Sequence, residues 1–141
     1  MARTLDVLLE KPRPCSYLED HAATLEHRIM VDVTELELEQ LLERGWRRFG
    51  ADYFRPQCAP CSSCVPCRVP TASFRPSQSQ RRARNKCASL VVRLGPPRFD
   101  QERLELYHRW HAFRERERGW DEADLSERGY RLQFAFPHPA A

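Results

Sequence analysis

Cysteines at a constant spacing are the residues of this sequence best suited to chemistry. Two residues separate each of four cysteines from the next, in a segment that also carries Pro60 and Pro66. Thiolates at this interval can curl around one soft metal centre, as an iron–sulfur cluster or a zinc ion requires. The pattern therefore predicts a metal-binding loop. Its cysteines are Cys58, Cys61, Cys64 and Cys67.

The last cysteine of this run also fits a β-strand. Cys67 lies two residues from Val65 and two from Val69, which is the alternation of a strand with one apolar face. We therefore expect Cys67 to be a small core residue and only the second choice as a metal ligand. Cys15, in a separate proline-flanked loop, is the first choice to complete the site. The predicted metal ligands are Cys15, Cys58, Cys61 and Cys64.

The expected compartment bears on these thiols. Residues 1–11 carry charges every few positions, so they indicate neither a signal peptide nor a membrane span, and we expect a cytoplasmic protein without a membrane partner. In a reducing compartment, closely spaced thiols serve metal or redox chemistry more often than structural disulfides. Spacing alone leaves an iron–sulfur cluster, zinc and unliganded thiols open as alternatives.

A segment of positive charge surrounds the cysteine run. No Asp or Glu occurs between Tyr53 and Phe99, whereas nine of the 23 Lys and Arg residues do. The rest of the chain contains the other 14 basic residues and all 20 acidic ones. The net charge of +3 is therefore the sum of +9 in this window and −6 elsewhere. Such asymmetry favours an anionic partner, with nucleic acid as the first candidate.

A short basic helix concentrates this charge. Ser77 and Gln80 form a capping box, so the sequence predicts a helix that begins after Ser77. Its cations and N-terminal amides suit phosphate oxygens, and the lack of nearby acids favours this function over an ordinary solvated surface. The predicted nucleic-acid contacts of this helix are Ser77, Gln80, Arg81, Arg82, Arg84 and Lys86.

Two further pairs of candidate residues adjoin aromatic residues. Arg47 and Arg48 lie between Trp46 and Phe49 and could stack on bases or bind a carboxylate; the alternative is that the aromatics are core and the arginines face water. His108 and His111 could ligate a metal, but the neighbouring aromatics favour a packing role for both histidines. No residue is assigned as catalytic.

The elements that position these residues indicate an α+β fold of about one domain's length, with a small mixed sheet and three helices. Strands are predicted at residues 5–9, 27–33, 65–69, 89–94 and 130–136. A helix should begin after Thr34, with its apolar face at residues 38, 41 and 42, and end near Arg44 with Gly45 as its stop. A long helix should begin after Asp100 and end at Gly119.

Several blocks in order resemble the aminoacyl-tRNA–protein transferases, in particular the bacterial aspartate/glutamate leucyltransferase branch, which is related to the arginyltransferases of the N-degron pathway. The resemblance covers nearly the whole chain. The blocks are 15–18 (Cys-Ser-Tyr-Leu), 45–50 (Gly-Trp-Arg-Arg-Phe-Gly), 53–56 (Tyr-Phe-Arg-Pro), 65–69 (Val-Pro-Cys-Arg-Val) and 74–82, from Phe74 to Arg82.

The resemblance implies transfer of an amino acid from aminoacyl-tRNA to proteins that begin with Asp or Glu, which marks those proteins for degradation. Leucyl-tRNA is the expected donor, and arginyl-tRNA stays open as the alternative. It also implies that Cys15 and the cysteine run lie where eukaryotic relatives carry an iron–sulfur cluster, and that Arg81 and Arg82 lie in a block compatible with tRNA binding. We expect an N-terminal cysteine-containing domain at 1–98 and, at 99–141, the incomplete start of a GNAT-like acyltransferase domain.

On this basis the chain is expected to be an N-terminal fragment that binds tRNA weakly and does not turn over alone. Two alternatives from other classes remain. A stand-alone metal- or iron–sulfur-binding RNA module would bind RNA without transferring an amino acid. A thiol-based redox or metal-storage protein would not need Arg81, Arg82 and Arg84.

Overall fold

A computed structural model describes residues 1–119 and 126–136. The elements form two compact units, one made of Met1–Cys64 with Pro97–Ala141, the other of Val65–Pro96. The strands are β1 (Arg3–Leu9), β2 (Arg13–Pro14), β3 (Ala22–Ala23), β4 (Leu25–Val31), β5 (Arg47–Phe49) and β6 (Asp52–Pro56). The helices are α1 (Glu35–Glu43), α2 (Gln78–Lys86), α3 (Gln101–Arg118) and α4 (Glu127–Phe134), with a 3₁₀ turn at Thr71–Ser73.

The first unit is built on a four-stranded sheet in the order β1-β4-β6-β5. All pairings in this sheet are antiparallel, and β2 pairs with β3 in a separate antiparallel ribbon. The α+β class is therefore confirmed. The sheet is antiparallel rather than mixed, however, and the described residues contain four α-helices rather than three.

One face of the sheet packs against α1. The core consists of Met30, Val33, Trp46 and Tyr53, with Leu38 and Leu41 packed against it. Leu42 is 52% exposed, so the apolar face of α1 is narrower than the sequence predicted.

The capping predictions are confirmed at three helices. Thr34 and Glu37 form the capping box of α1, and Ser77 and Gln80 form that of α2. The side chain of Asp100 accepts the Arg103 N–H at the start of α3. Gly45 and Gly119, with φ of +79° and +61°, supply the left-handed residues beyond α1 and α3.

A glycine lets α4 approach the turn between β5 and β6. Gly50 is buried and has φ of +57°. A Cβ atom at this position would lie 1.7 Å from the Leu132 carbonyl oxygen, so only glycine admits the helix backbone here. The rings of Phe49 and Phe134 meet edge to face beside this contact, at 6.3 Å between centroids.

The predicted final strand at residues 130–136 is wrong, because this segment forms α4. Ser126 caps the helix by accepting the Gly129 N–H at 2.9 Å. The alternating aromatics misled the prediction because residues four apart in such a pattern also share one face of a helix. Tyr130 and Phe134 are such a pair, and both rings contact Tyr107 at 5.5 Å.

The predicted strands at residues 65–69 and 89–94 are also wrong, since neither segment forms a strand. Val65 and Val69 are 73% and 66% exposed, and Cys67 is exposed as well, so Cys67 is not a core residue. A strand requires a hydrogen-bonded neighbour, and the second unit contains no strand that could pair with either segment.

Among the described residues, no helix combines the length and apolar character needed to cross a membrane.

Candidate functional site

The basic helix α2 lies in the second unit, and all its residues are exposed. Its capping box uses the Ser77 hydroxyl, which accepts the Gln80 N–H at 3.3 Å, and the Gln80 side-chain oxygen, which accepts the Ser77 N–H at 2.7 Å. Ser77 and Gln80 therefore hold the start of the helix. Arg81 extends from the first turn and donates to the Pro76 carbonyl at 2.7 Å.

The cations of α2 form a repulsive group. Arg81 and Arg84 are three residues apart, and Arg82 and Lys86 are four apart, so each pair lies on neighbouring turns of one face. The helix contains no acidic residue. Like charges at these spacings destabilise a helix, and a bound polyanion would relieve the repulsion. The arrangement suits phosphate groups.

Arg47 and Arg48, in the first unit, differ in environment. Arg47 is exposed on β5, opposite Phe54 of β6. Arg48 is half-buried and donates to the Gly50 carbonyl at 2.9 Å. Only Arg47 of this pair presents its charge fully at the surface, and Phe49, 53% exposed, adjoins it.

Trp46 is not available for stacking on a base, because it is 4% exposed and two arginines already lie against its ring. The guanidinium groups of Arg28 and Arg55 lie 4.6 and 4.7 Å from its ring centroid. Both arginines also bind Glu26, each through two nitrogens at 2.6 to 3.0 Å. Burial opposes ionisation of Glu26, but the hydrogen bonds from Arg28 and Arg55 outweigh it and hold its pKa below the usual value.

A histidine between two carboxylates lies on the other face of the sheet. His27 Nδ1 is 3.1 Å from both carboxylate oxygens of Asp52, and Nε2 is 3.2 Å from Glu10 Oε1. Glu10 Oε2 is buried without a hydrogen bond, although Arg13 Nε lies 3.5 Å away. The His27 ring also stacks on Phe54 at 5.8 Å. These contacts join β4 to β6 and to the end of β1.

These two clusters, around Trp46 and around His27, were only partly predictable from the sequence. The spacing of Glu26 and Arg28 places them on the same side of a strand, which was a readable signal for their ion pair. The contacts of His27 with Asp52 and of Arg55 with Trp46 depend on the pairing of β4 with β6 and on packing. No pattern of residues close together in the sequence predicts these two contacts.

Cys58 is bound to the backbone rather than to its fellow cysteines. The Thr24 N–H donates to Cys58 Sγ at 3.4 Å, and the Cys58 thiol donates to the Thr24 carbonyl at 3.6 Å. A metal ligand must be a thiolate, so Cys58 would have to give up this proton before it could bind a metal. The contact joins the start of the cysteine loop to the segment between β3 and β4.

Two other predicted ligands have their own surroundings. Cys61 accepts hydrogen bonds from the backbone N–H and the side chain of Ser63, which lower the pKa of its thiol. Cys15 lines an open cavity of about 700 Å³ formed by residues 12–15 and 18–22. All six cysteines are free thiols.

Within residues 1–119 and 126–136, no three His, Cys, Asp or Glu side chains are arranged to hold a metal ion. Within these residues the structure therefore does not bring the predicted cysteine ligands together around one centre. The ligand set stays a prediction, and no step proposed below uses a metal.

Of the two histidines of α3, His111 packs against neighbouring aromatic rings. His111 packs its ring against Tyr107 at 4.4 Å and against Trp110 at 4.9 Å, and its Nδ1 lies 3.5 Å from Glu115. A packing role for His111 is therefore confirmed.

Comparison with known proteins gives a family match at residues 13–82, described as arginine-tRNA-protein transferase, N terminus. This range includes the cysteine run, Arg47, Arg48 and the start of α2. No solved structure matches the chain significantly.

Several similar proteins bear the name aspartate/glutamate leucyltransferase. That of Campylobacter jejuni strain 81-176 is 34% identical over 116 residues, which are 82% of this chain and 48% of the relative. That of Nitrosococcus oceani is 36% identical over 121 residues, 84% of this chain and 50% of the relative. That of Pseudomonas putida strain GB-1 is 41% identical over 103 residues, 71% and 43% respectively. The chain spans about half the length of these curated relatives.

Proposed function

Since this chain carries the N-terminal region of the aminoacyl-tRNA–protein transferase family, we propose that it serves the transfer of leucine from leucyl-tRNA to proteins beginning with Asp or Glu. The observation that carries the proposal is the match to proteins named aspartate/glutamate leucyltransferase over 71 to 84% of this chain. The resemblance first seen in the sequence motifs is thereby confirmed at the level of the family.

The reaction is an acyl transfer. The α-amine of the acceptor protein attacks the ester carbonyl of leucyl-tRNA, a tetrahedral intermediate forms, and the ribose hydroxyl of the tRNA leaves. An enzyme for this reaction must hold a polyanion so that its 3′ end is fixed near the acceptor amine. We assign no residue of this chain to the proton transfers.

We assign the tRNA contact to α2. Arg81, Arg82, Arg84 and Lys86 are exposed, and no acidic residue of the helix competes for them. Contacts of this kind go to phosphate and fix the position of a nucleic acid without reading its sequence. Ser77 and Gln80 support the contact indirectly by capping the helix. Arg47, exposed beside Phe49, is a second candidate contact for the RNA.

The same proposal extends to the domain boundaries, the compartment and the acceptor protein. Residues 1–98 would form the cysteine-containing domain and residues 99–141 the start of a GNAT-like domain, whose remaining half would complete the acyltransferase site. The reaction is placed in the cytoplasm, where aminoacyl-tRNA is made and used. The acceptor is a protein whose first residue is acidic.

Leucine transfer by a hybrid protein tests this function. The chain would be joined to the second half of the Campylobacter jejuni leucyltransferase and given leucyl-tRNA with a peptide that begins with Asp. We expect leucine on the peptide amine, and a transfer rate at least about tenfold lower when Arg81, Arg82 and Arg84 are changed to Ala.

Replacement of Arg109, Arg116 and Arg118 with Ala removes the same charge from exposed positions of α3 and serves as the matched control. A hybrid that binds RNA but transfers no leucine to any acidic N-terminus would instead support the stand-alone RNA-binding module.

A further inference from the structure

The long helix α3 has two apolar faces. Leu104, Tyr107 and His111 follow one another at helical spacing; Leu104 is 7% exposed, and the Tyr107 ring contacts α4 through Tyr130 and Phe134. Leu106, Trp110 and Phe113 form a second stripe, about a third of a turn away, and remain 58%, 46% and 49% exposed. The described part of the first unit therefore covers one face of α3 and leaves the other largely in solvent.

A groove continues the exposed stripe toward α4. It has a volume of about 370 Å³ and is apolar almost throughout. Phe134, at one side of the groove, is 42% exposed. We call Leu106, Trp110, Phe113 and Phe134 the α3–α4 surface. Large exposed apolar patches with a polar rim mark interaction sites in soluble proteins.

The charge around this surface favours a protein partner over a nucleic acid. Helix α3 carries five arginines and four glutamates, so its cations are nearly balanced by acids, unlike those of α2. Arg114 lies over the rings of Trp110 and Phe113, at 5.9 and 5.8 Å from their centroids. A mixed rim of this kind around apolar side chains is typical of the interfaces between proteins.

The relatives indicate which polypeptide would cover the surface. The matched region is 48% of the Campylobacter protein and 50% of the Nitrosococcus protein, so each relative contains about as much polypeptide again. We propose that the α3–α4 surface is the docking surface for the polypeptide that makes up this other half, whether joined to the chain or separate from it. The inference rests on the proposed function and deepens it by naming the surface that the remaining half covers, and its tests below read neither tRNA binding nor leucine transfer.

Hydroxyl-radical footprinting tests the proposal residue by residue. The chain alone would be compared with the chain joined to the second half of the Campylobacter leucyltransferase, and oxidation would be read by mass spectrometry. We expect oxidation of Leu106, Trp110 and Phe113 to fall at least about threefold in the joined protein. Leu36 and Leu42 of α1, 63% and 52% exposed, should be oxidised equally in both proteins and are internal controls.

A second measurement uses variants. Changing both Leu106 and Phe113 to Gln should lower the melting temperature of the joined protein while leaving that of the chain alone nearly unchanged. The matched change of Leu36 and Leu42 to Gln should alter neither. Unchanged oxidation of the α3–α4 surface in the joined protein would overturn the proposal, and so would protection in the chain alone that increases with concentration, which would assign the surface to a second copy.

Discussion

At the scale of single residues, Glu37 performs two tasks in the first unit. Its Oε2 accepts the Thr34 N–H at 3.0 Å to complete the capping box, and its two oxygens accept the Ala2 N–H at 3.0 and 3.1 Å. The hydrogen bond from the Thr34 backbone, followed by that from Ala2, lowers the pKa of Glu37 to about 2. The carboxylate thus fixes the first residues of the chain to α1.

The lowered pKa predicts how stability changes with pH. Because the folded pKa lies below the ordinary value of 4.5, the charged Glu37 stabilises the fold fully above pH 4.5, and this contribution is lost as the pH falls toward 2. Glu37→Gln keeps an accepting oxygen but cannot titrate. We expect the variant to be less stable than the wild type at pH 6, with the difference shrinking between pH 4.5 and pH 2.5.

Urea unfolding followed by circular dichroism at several pH values would measure this difference. Glu39→Gln, at an exposed position of the same helix, is the control and should stay close to the wild type. A Glu37→Gln difference that stays constant from pH 6 to 2.5 would contradict the capping geometry.

Single residues also show what could be read from the sequence. The caps at Thr34, Ser77 and Asp100 were predictable, because capping depends on residues three apart and is decided locally. The burial of Trp46 and its contacts with Arg28 and Arg55 were not, because they depend on the pairing of strands that are distant in sequence. The same reason explains why the link between His27 and Asp52 was missed.

At the scale of elements, the fit between α4 and the sheet depends on Gly50. Alanine at this position would place its Cβ against the Leu132 carbonyl and would also strain a backbone with φ of +57°. We expect Gly50→Ala to lower the free energy of unfolding by about 1–3 kcal/mol. Because the clash is with backbone, the helix must move to admit the methyl group.

Gly95→Ala is the matched control, since a Cβ there meets nothing within 4 Å. Its effect should stay within about 0.5 kcal/mol. Urea denaturation of both variants measures the two values, and a Gly50→Ala variant as stable as the wild type would show that α4 does not lie against the turn.

Element types were predictable where length and caps agreed, as for α1, α2 and α3. The predictions failed where a segment fits both the helix period and the strand period, and where a strand needs a second strand to pair with. Tyr130 and Phe134 satisfy both the strand and the helix pattern, and packing against Tyr107 decides for the helix. The segment 89–94 has strand-forming residues, with Val91 and Val92 80% and 83% exposed, but no strand of its unit pairs with it.

At the scale of the whole molecule, acidic and basic residues are unevenly distributed between the two units. The helix α2 gathers cations without acids in the second unit, whereas α3 of the first unit balances the two. The segregation of charge was readable from the sequence, because it needs only a count along the chain. Binding of RNA by this cationic surface could not be read in the same way, because it depends on the partner as well as on this chain.

We propose that α2 holds tRNA through its exposed cations, and the salt dependence of tRNA binding tests this contact. The affinity of the chain for leucyl-tRNA would be measured from 50 to 200 mM salt for the wild type, for the variant with Arg81, Arg82 and Arg84 changed to Ala, and for the control with Arg109, Arg116 and Arg118 changed to Ala.

We predict that the α2 variant binds at least about tenfold more weakly at low salt and that its slope of log affinity against log salt is smaller by about 3, since each lost phosphate contact removes about one unit. The control variant should keep the wild-type slope. Equal slopes for all three proteins, or no binding of tRNA by the wild type at 50 mM salt, would contradict the proposed contact between α2 and tRNA.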